Sequence, residues 1–490
     1  MYTVMVASEC APVAKVGGLA DVVHGLSREL QAQDQQVEII LPKYACLRWD
    51  LIENPRIAYE HLWVPWSGGA IHTTVWSGQL DGLDCFFIDP HSEENFFGRE
   101  NFYGYLDEAP RFAFFTKAAL EFLLHSGRRP DILHTHDWQT SLAAVMLYEM
   151  FAEQKMGEIR VCHTIHNFKH QGICGHELLE MTGLDRPDYY GARDRLGDDF
   201  HKEALNFTKG ALLYANFITT VSRNHAWEVR HSDQNYGLGH PLYLHQDKFG
   251  GVVNGLDYNA WNPATDLQIH QHFDLEHMEQ KQANKVWLRD RLLLAQDEKP
   301  LIAYVGRLDP QKGVHLIKHA LVHALNNDAQ FVLLGSGSEE AINHEFIDLK
   351  NHFNDNPNCH IEVGFHEGLA RQIYAGADLM VVPSMFEPCG LTQLISLRYG
   401  TVPVVRAVGG LVDTVFDWHH DNHPQGMRNG FIFNDANYAG LESALDRAIG
   451  LWRDDPDEFH LLMKNGMRMD FSWHEPTRHY LNIYRFIRHK

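Results

Sequence analysis

Two cations flank a turn in "GRLDPQKG", where Arg307 ends an apolar run and Lys312 precedes a glycine. A pair so spaced suits a diphosphate, which needs its charge neutralised at both phosphoryl groups. The plain alternative is solvated surface charge. Near the N-terminus, "APVAKVGGLADVV" sets Lys15, Gly17 and Gly18 between an apolar strand and a helix with apolar residues at Leu19, Val22, Val23, Leu26 and Leu30. A glycine turn there lets backbone N–H groups approach an anion, and the helix N-terminus adds positive potential. Lys15 would supply a full charge, unless the turn is merely tight and the lysine solvated. A third stretch, "PSMFEPCGLTQL", puts Glu387 in a turn and Gly390, Leu391 and Thr392 where a helix should begin. "GSGSE" (335–339) resembles a glycine-rich phosphate loop but lacks the GxGxxG spacing, so as a dinucleotide fingerprint it is weak.

Further polar residues fall at strand ends. "HTHDWQT" places Asp137 at one carboxyl edge, and "HTIHNFKHQG" places His166 and Asn167 at another. His134, His136, Asp137, His163 and His166 are of metal-ligand type. Successive residues of a strand point to opposite faces, however, so much of this set should not converge. No DxD motif stands at a strand end to hold a nucleotide-bound metal; "DPD" at 455–457 lies in an acidic, solvated stretch. The expectation is a site that needs no metal and no cofactor.

The elements that must position these groups alternate between short apolar runs and helical periodicity, the pattern of α/β domains with parallel sheets. One set of runs lies at 2–8, 37–42, 84–89, 131–136, 159–166 and 216–222, and a second at 301–308, 330–335, 359–365, 379–384 and 402–407. We read two doubly wound, Rossmann-like domains, 1–250 and 251–470, with ligands outside the carboxyl ends of the strands and one site in a cleft between the domains. A last segment, 471–490, opens with the capping box "SWHE" and carries an apolar face at Tyr480, Leu481, Tyr484 and Ile487, suited to packing back on the first domain.

Composition narrows the function. The chain of 490 residues has 42 Lys+Arg against 64 Asp+Glu, a formal charge of −22, which argues against a nucleic-acid or anionic-membrane surface. Any phosphate must therefore be caught by a few local cations. Seven scattered cysteines without a CxxC pair fit a reducing cytoplasm. No apolar run reaches spanning length, and a strand from residue 2 leaves no place for a signal peptide. The 33 histidines are dispersed, and their number alone implies no function.

"KVGGLADVV", "HTHDWQT", "HTIHNFKHQG", "GRLDPQKG" and "FEPCGLTQ", with "VNGLD", "WNPATD" and "FSW", resemble bacterial glycogen synthases and plant starch synthases in order and spacing over the whole chain. "APVAKVGGLADVV" and "EIILPKY" look closer to the starch-synthase-like branch than to the enterobacterial enzymes. The resemblance implies a GT-B fold and transfer of glucose from ADP-glucose to the non-reducing end of an α-1,4-glucan, with retention at the anomeric carbon. It further implies that Lys15 and the Gly17–Gly18 turn meet the donor's phosphates and glucose, and that Arg307 and Lys312 hold the diphosphate. Cys389, Gly390, Leu391 and Thr392 would add to donor binding, and Glu387 would take the glucose hydroxyls. His166 would lie near the reacting carbon with Asn167 beside it, and Asp137 and Asn254 would line the cleft. Two positions depart from the family pattern. Ile395 stands where many retaining GT-B enzymes have a second glutamate, so no role is assigned there; Phe365 stands where many relatives have tyrosine, which keeps a ring for the base. The competing readings are another retaining GT-B transferase using UDP-glucose or a different acceptor, an inactive glucan-binding scaffold, and a Rossmann oxidoreductase. The last lacks a full fingerprint, and a scaffold has no use for a complete phosphate clamp.

Overall fold

The structure, a computed structural model, describes residues 1–337 and 339–489. Its strands in the first part of the chain are β1 (Tyr2–Val6), β2 (Gln36–Pro42), β3 (Glu53–Trp66), β4 (Gly69–Leu80), β5 (Leu83–Pro90), β6 (Ile132–His136), β7 (Arg160–Ile165), β8 (Ile173–Gly175), β9 (Ala204–Asn206), β10 (Phe217–Thr220) and β11 (Phe249–Gly251). β8 and β9 form a small antiparallel pair; the others make one sheet in the order β11-β10-β7-β6-β1-β2-β5-β4-β3. From β11 to β5 every pairing is parallel, and those strands are short apolar runs because both faces are covered. The order reverses between β1 and β6, and a crevice forms outside the carboxyl ends at such a point.

This sheet departs from the all-parallel expectation. β3 and β4 form an antiparallel hairpin appended to β5. Ser67 and Gly68 join them, both with positive φ (52° and 75°), as a two-residue turn that matches strand twist requires. β3 is mostly exposed and holds Pro55 and Pro65, as an edge strand can.

Six strands form the second sheet: β12 (Leu301–Arg307), β13 (Gln330–Ser336), β14 (Cys359–Val363), β15 (Leu379–Val382), β16 (Val402–Arg406) and β17 (Phe431–Phe433). All pair in parallel in the order β14-β13-β12-β15-β16-β17, the doubly wound 3-2-1-4-5-6 arrangement. Ile302 and Tyr304 enter one apolar layer and Leu301 and Ala303 the other, as strand alternation demands. Here the order reverses between β12 and β15.

The chain divides into two compact units, residues 1–255 with the C-terminal segment from Trp473, and Leu256–Ser472. The helix His474–Arg488 belongs to the first. It buries Thr477, Tyr480, Leu481, Tyr484 and Ile487, each large apolar side chain contributing up to about 1.5–3 kcal/mol. The Tyr484 hydroxyl lies 2.6 Å from His134 Nδ1 inside the unit. Trp473 packs on Gly25 so closely that a Cβ there would fall 2.0 Å from the indole nitrogen. The capping box does not form as read: the helix starts at His474, and Trp473, the N-cap residue, has helical angles and makes no side-chain cap bond.

Candidate functional site

In the first unit, β1 ends at Val6 and the chain passes through Glu9 to the KVGG turn. Glu9 is buried, and its carboxylate accepts the N–H groups of Val16 (2.7 Å) and Gly17 (2.9 Å) and the hydroxyl of Tyr103 (2.7 Å). This corrects the expectation that the turn offers its amides to an anion: the Gly17 N–H is already taken. Lys15 is half-exposed and pairs with Asp21 at 2.7 Å. Gly17 itself has an extended φ of −139°, and nothing lies within 4 Å of a Cβ placed there. Neither backbone nor packing requires glycine at this exposed point, whereas Gly18 opens the helix Gly18–Ala32.

β6 and β7 bring Asp137 and His166 together at the other side of the reversal. Asp137 holds a positive φ of 56°, and its Oδ1 accepts the His166 N–H at 2.7 Å and, more weakly, that of Asn167 at 3.4 Å. Burial pushes its carboxyl up to about 7. The five groups of metal-ligand type split as alternation predicts. His134 stacks on His136 (4.2 Å), whose Nδ1 meets His166 Nε2 at 3.2 Å, while His163 bonds to Thr135 and Ser141. Burial drives His166 and His163 down to about 3 and lowers His134 and His136 as well, so these imidazoles are neutral. Asn167 Oδ1 accepts the Lys169 N–H in a local turn. Asn254, after β11, is buried, and its Oδ1 has no hydrogen-bond partner among the described residues.

The second unit assembles its charged groups at the reversal between β12 and β15. Lys312, following β12, reaches Glu387, following β15, at 2.5 Å; Glu387 also accepts the Ser384 hydroxyl at 2.8 Å. Glu387 is 7% exposed and Lys312 19%, so water screens this pair little. Arg307 ends β12, two-thirds exposed, with Asp309 at 2.9 Å. That pair holds the guanidinium only loosely, as exposed ion pairs do. Gly409, φ +50°, lies under the Glu387 turn, where a Cβ would fall 1.8 Å from the Glu387 carbonyl oxygen.

Gly390 has φ +81°, and the helix that follows, Thr392–Arg398, takes Leu391 as its N-cap residue. Cys389 is buried, and its carbonyl accepts the Gln393 amide. Ile395 is buried core. Phe365 is not a core residue at a strand end: β14 stops at Val363, and the ring is 90% exposed. It borders a largely apolar cavity of about 200 Å³ between the ends of β12, β13 and β14, lined by Val305, Gly306, Arg307, Leu334, Gly335 and His366. The GSG turn is structural in its own right, since a Cβ at Gly335 or Gly337 would strike a backbone oxygen of Gly306 or Leu308. Ser338 of that motif lies outside the described residues.

Sequence reading missed Glu9, Asp21, Asp309, Ser384 and Gly409. Glu9 carried the one available signal, a carboxylate placed directly after an apolar strand.

Two Rossmann-like units with polar residues gathered at strand carboxyl ends define the GT-B architecture of glycosyltransferases. Residues 3–243 match the family described as starch synthase catalytic domain, and residues 289–459 match glycosyl transferases group 1. A glycogen synthase 1 of Synechococcus sp. (strain JA-2-3B'a(2-13)) is 57% identical over the full length of both chains. A glycogen synthase 2 of Methylococcus capsulatus is 56% identical over 99% of this chain and all of its own. The catalytic domain of starch synthase IV from Arabidopsis thaliana, solved with ADP and acarbose, superposes with a TM-score of 0.96 at 40% identity, covering 100% of this chain and 99% of that one. The chain belongs to the glycogen and starch synthase family of glycosyltransferases.

Proposed function

We propose that the chain transfers glucose from ADP-glucose to the non-reducing end of an α-1,4-glucan, with retention, and that side chains rather than a metal neutralise the donor's diphosphate. The observation that carries this reading is the Lys312–Glu387 pair at the β12/β15 reversal, with Arg307 at the end of β12 as a second cation of the same sheet edge. An ammonium has three donors, so Lys312 can keep Glu387 and still bind a phosphoryl oxygen. Glu387, already oriented by Ser384 and Lys312, is an acceptor for sugar hydroxyls. Phe365 and the apolar cavity beside it suit a nucleotide base, and the Gly390–Thr392 turn suits the phosphates. The solved starch synthase IV holds ADP and acarbose, a nucleotide and an oligosaccharide analogue of this kind.

In the first unit, the imidazoles at the ends of β6 and β7 are neutral. The His166 backbone is held by Asp137, so its carbonyl can face a sugar carbon that gains positive charge as the bond to phosphate breaks. Lys15 and the open space at Gly17 suit the approach of the donor. The C1–O bond to ADP breaks, the acceptor's 4-oxygen forms the new bond on the same face, and its proton passes to the departing diphosphate. No separate general base is needed. A cytoplasmic location belongs to the same proposal, supported by seven free cysteines and, among the described residues, by no helix long and apolar enough to cross a membrane.

The test offers ADP-glucose and UDP-glucose separately with glycogen and measures chain elongation and nucleotide released. Elongation with equimolar ADP release is expected. Preference for UDP-glucose would replace the donor, and release without elongation would replace the acceptor.

A further inference from the structure

The helix Val314–Asn326 carries histidines at 315, 319 and 323, spaced four apart and outside the donor chemistry, and the last two meet carboxylates of a neighbouring helix. His319 and His323 lie four residues apart on the helix Val314–Asn326 of the second unit, which puts both rings on one face. On the neighbouring helix, Tyr438–Asp454, Glu442 and Asp446 repeat the same spacing. Glu442 Oε1 is 2.7 Å from His319 Nε2 and 3.8 Å from His323 Nδ1, and the other nitrogen of His323 is 2.7 Å from Asp446 Oδ1. One ligand atom from each of His319, His323 and Glu442 falls within 4.8 Å of the others, the single such group among the described residues. All three residues are partly buried, and the Tyr438 ring lies flat on His319 (3.9 Å, 7°), which fixes that imidazole.

We propose that His319, His323 and Glu442 form a site for a divalent transition metal of the zinc class, clipping the two helices together. Imidazole nitrogen with carboxylate oxygen is a donor set such ions take, and three protein ligands leave a fourth position for water. Asp446 completes the arrangement. A metal-bound histidine donates its far ring N–H to a carboxylate, and His323 has the geometry for it, with Nδ1 toward Glu442 and Nε2 on Asp446. A plain histidine–carboxylate hydrogen bond needs one ring and one acid; here two rings and two acids meet. The clip lies along the flank of the helix whose first turn follows Lys312, apart from the strand-end groups assigned to the donor.

The full-length protein, stripped with EDTA and dialysed, is given Zn²⁺ alone beside the His319→Gln/His323→Gln double variant and the milder Glu442→Gln variant. Metal content and thermal melting are read for each. The wild type should hold one more zinc per chain than the double variant. Its Tm should rise by about 5 °C or more at zinc one-hundredfold above Kd, a rise lost in the double variant. Glu442→Gln, at a partly exposed position where folding is little disturbed, should weaken zinc binding at least tenfold. Equal stoichiometry and equal shifts in wild type and variants would overturn the proposal, as would a wild type that takes up no zinc.

Discussion

The carboxyl edges of the two sheets are built from opposite materials. In the first unit the ends of β6 and β7 carry uncharged imidazoles, His136, His163 and His166, and Asp137 spends its hydrogen bonds on the chain's own amides; its charged groups, Glu9 and the half-exposed Lys15–Asp21 pair, follow β1. In the second unit the edge is ionic: Lys312 on Glu387, and Arg307 on Asp309. Both edges arise at a reversal of strand order, so topology alone does not select the chemistry. The loops do. A neutral, rigid surface suits a sugar carbon passing through a cationic state, whereas fixed cations suit the leaving diphosphate.

The largest effect should come from the ionic edge. Groups aimed at developing charge lower the barrier more than they aid ground-state binding, by about 3–4 kcal/mol each. Lys312→Ala should therefore cut kcat roughly 100-fold or more in a steady-state assay of nucleotide release, with a smaller change in donor KM. A change in KM alone would reduce Lys312 to an anchor.

Next comes Phe365, the ring proposed to carry the base. Stacking on an aromatic ring is worth about 1–3 kcal/mol in nucleic-acid sites, and a contact far from the reacting carbon acts on both states alike. Phe365→Ala should raise the ADP-glucose KM about 5- to 150-fold with kcat largely kept, and Phe365→Tyr should be near neutral. Because the ring is 90% exposed, the melting temperature should not move; a drop in Tm with unchanged KM would deny the ring a ligand.

Gly17 sharpens the neutral side. An alanine there meets no atom of the protein and no backbone strain, and its poorer fit as the helix N-cap costs no more than about 1 kcal/mol, so Gly17→Ala should melt close to wild type. If the space is for the donor, activity should still fall about 10-fold, since misplacement near 1 Å costs up to 100-fold. Wild-type kinetics would show that the donor does not approach this turn.

The smallest effect concerns Asp137 and pH. Its folded carboxyl titrates at about 7, above the unfolded value, so the folded state binds the extra proton between roughly pH 4 and 7 and loses stability as pH rises through that window. Asp137→Asn stays neutral and tolerates the positive φ. Its Tm relative to wild type should rise by about 2 °C or more between pH 5 and pH 8. A gap that is flat with pH would mean that burial does not hold the carboxyl up.

Much of this was legible in the sequence for a physical reason. Parallel strands covered on both faces read as apolar runs, and the residue that ends such a run sits at a carboxyl edge; β6, β7 and β12 placed Asp137, His166 and Arg307 in that way. β3 was not legible, because an edge strand exposed along most of its length carries no apolar run. Nor was the role of Glu9, since one buried carboxylate has no periodicity. The need for glycine at 409 arises from the Glu387 carbonyl, a contact between distant residues. The apolar face of the last helix was readable, but its partner His134 was not, being 350 residues away.

The contrast between the two edges rests on protein cations doing the work of a donor-bound metal, and one measurement tests that most directly. The enzyme is assayed with ADP-glucose and a maltooligosaccharide in excess EDTA, well below its melting temperature, so that loss of any structural ion is not read as loss of chemistry. Undiminished chain elongation is expected. Complete loss of activity, restored by Mn²⁺ or Mg²⁺, would contradict it.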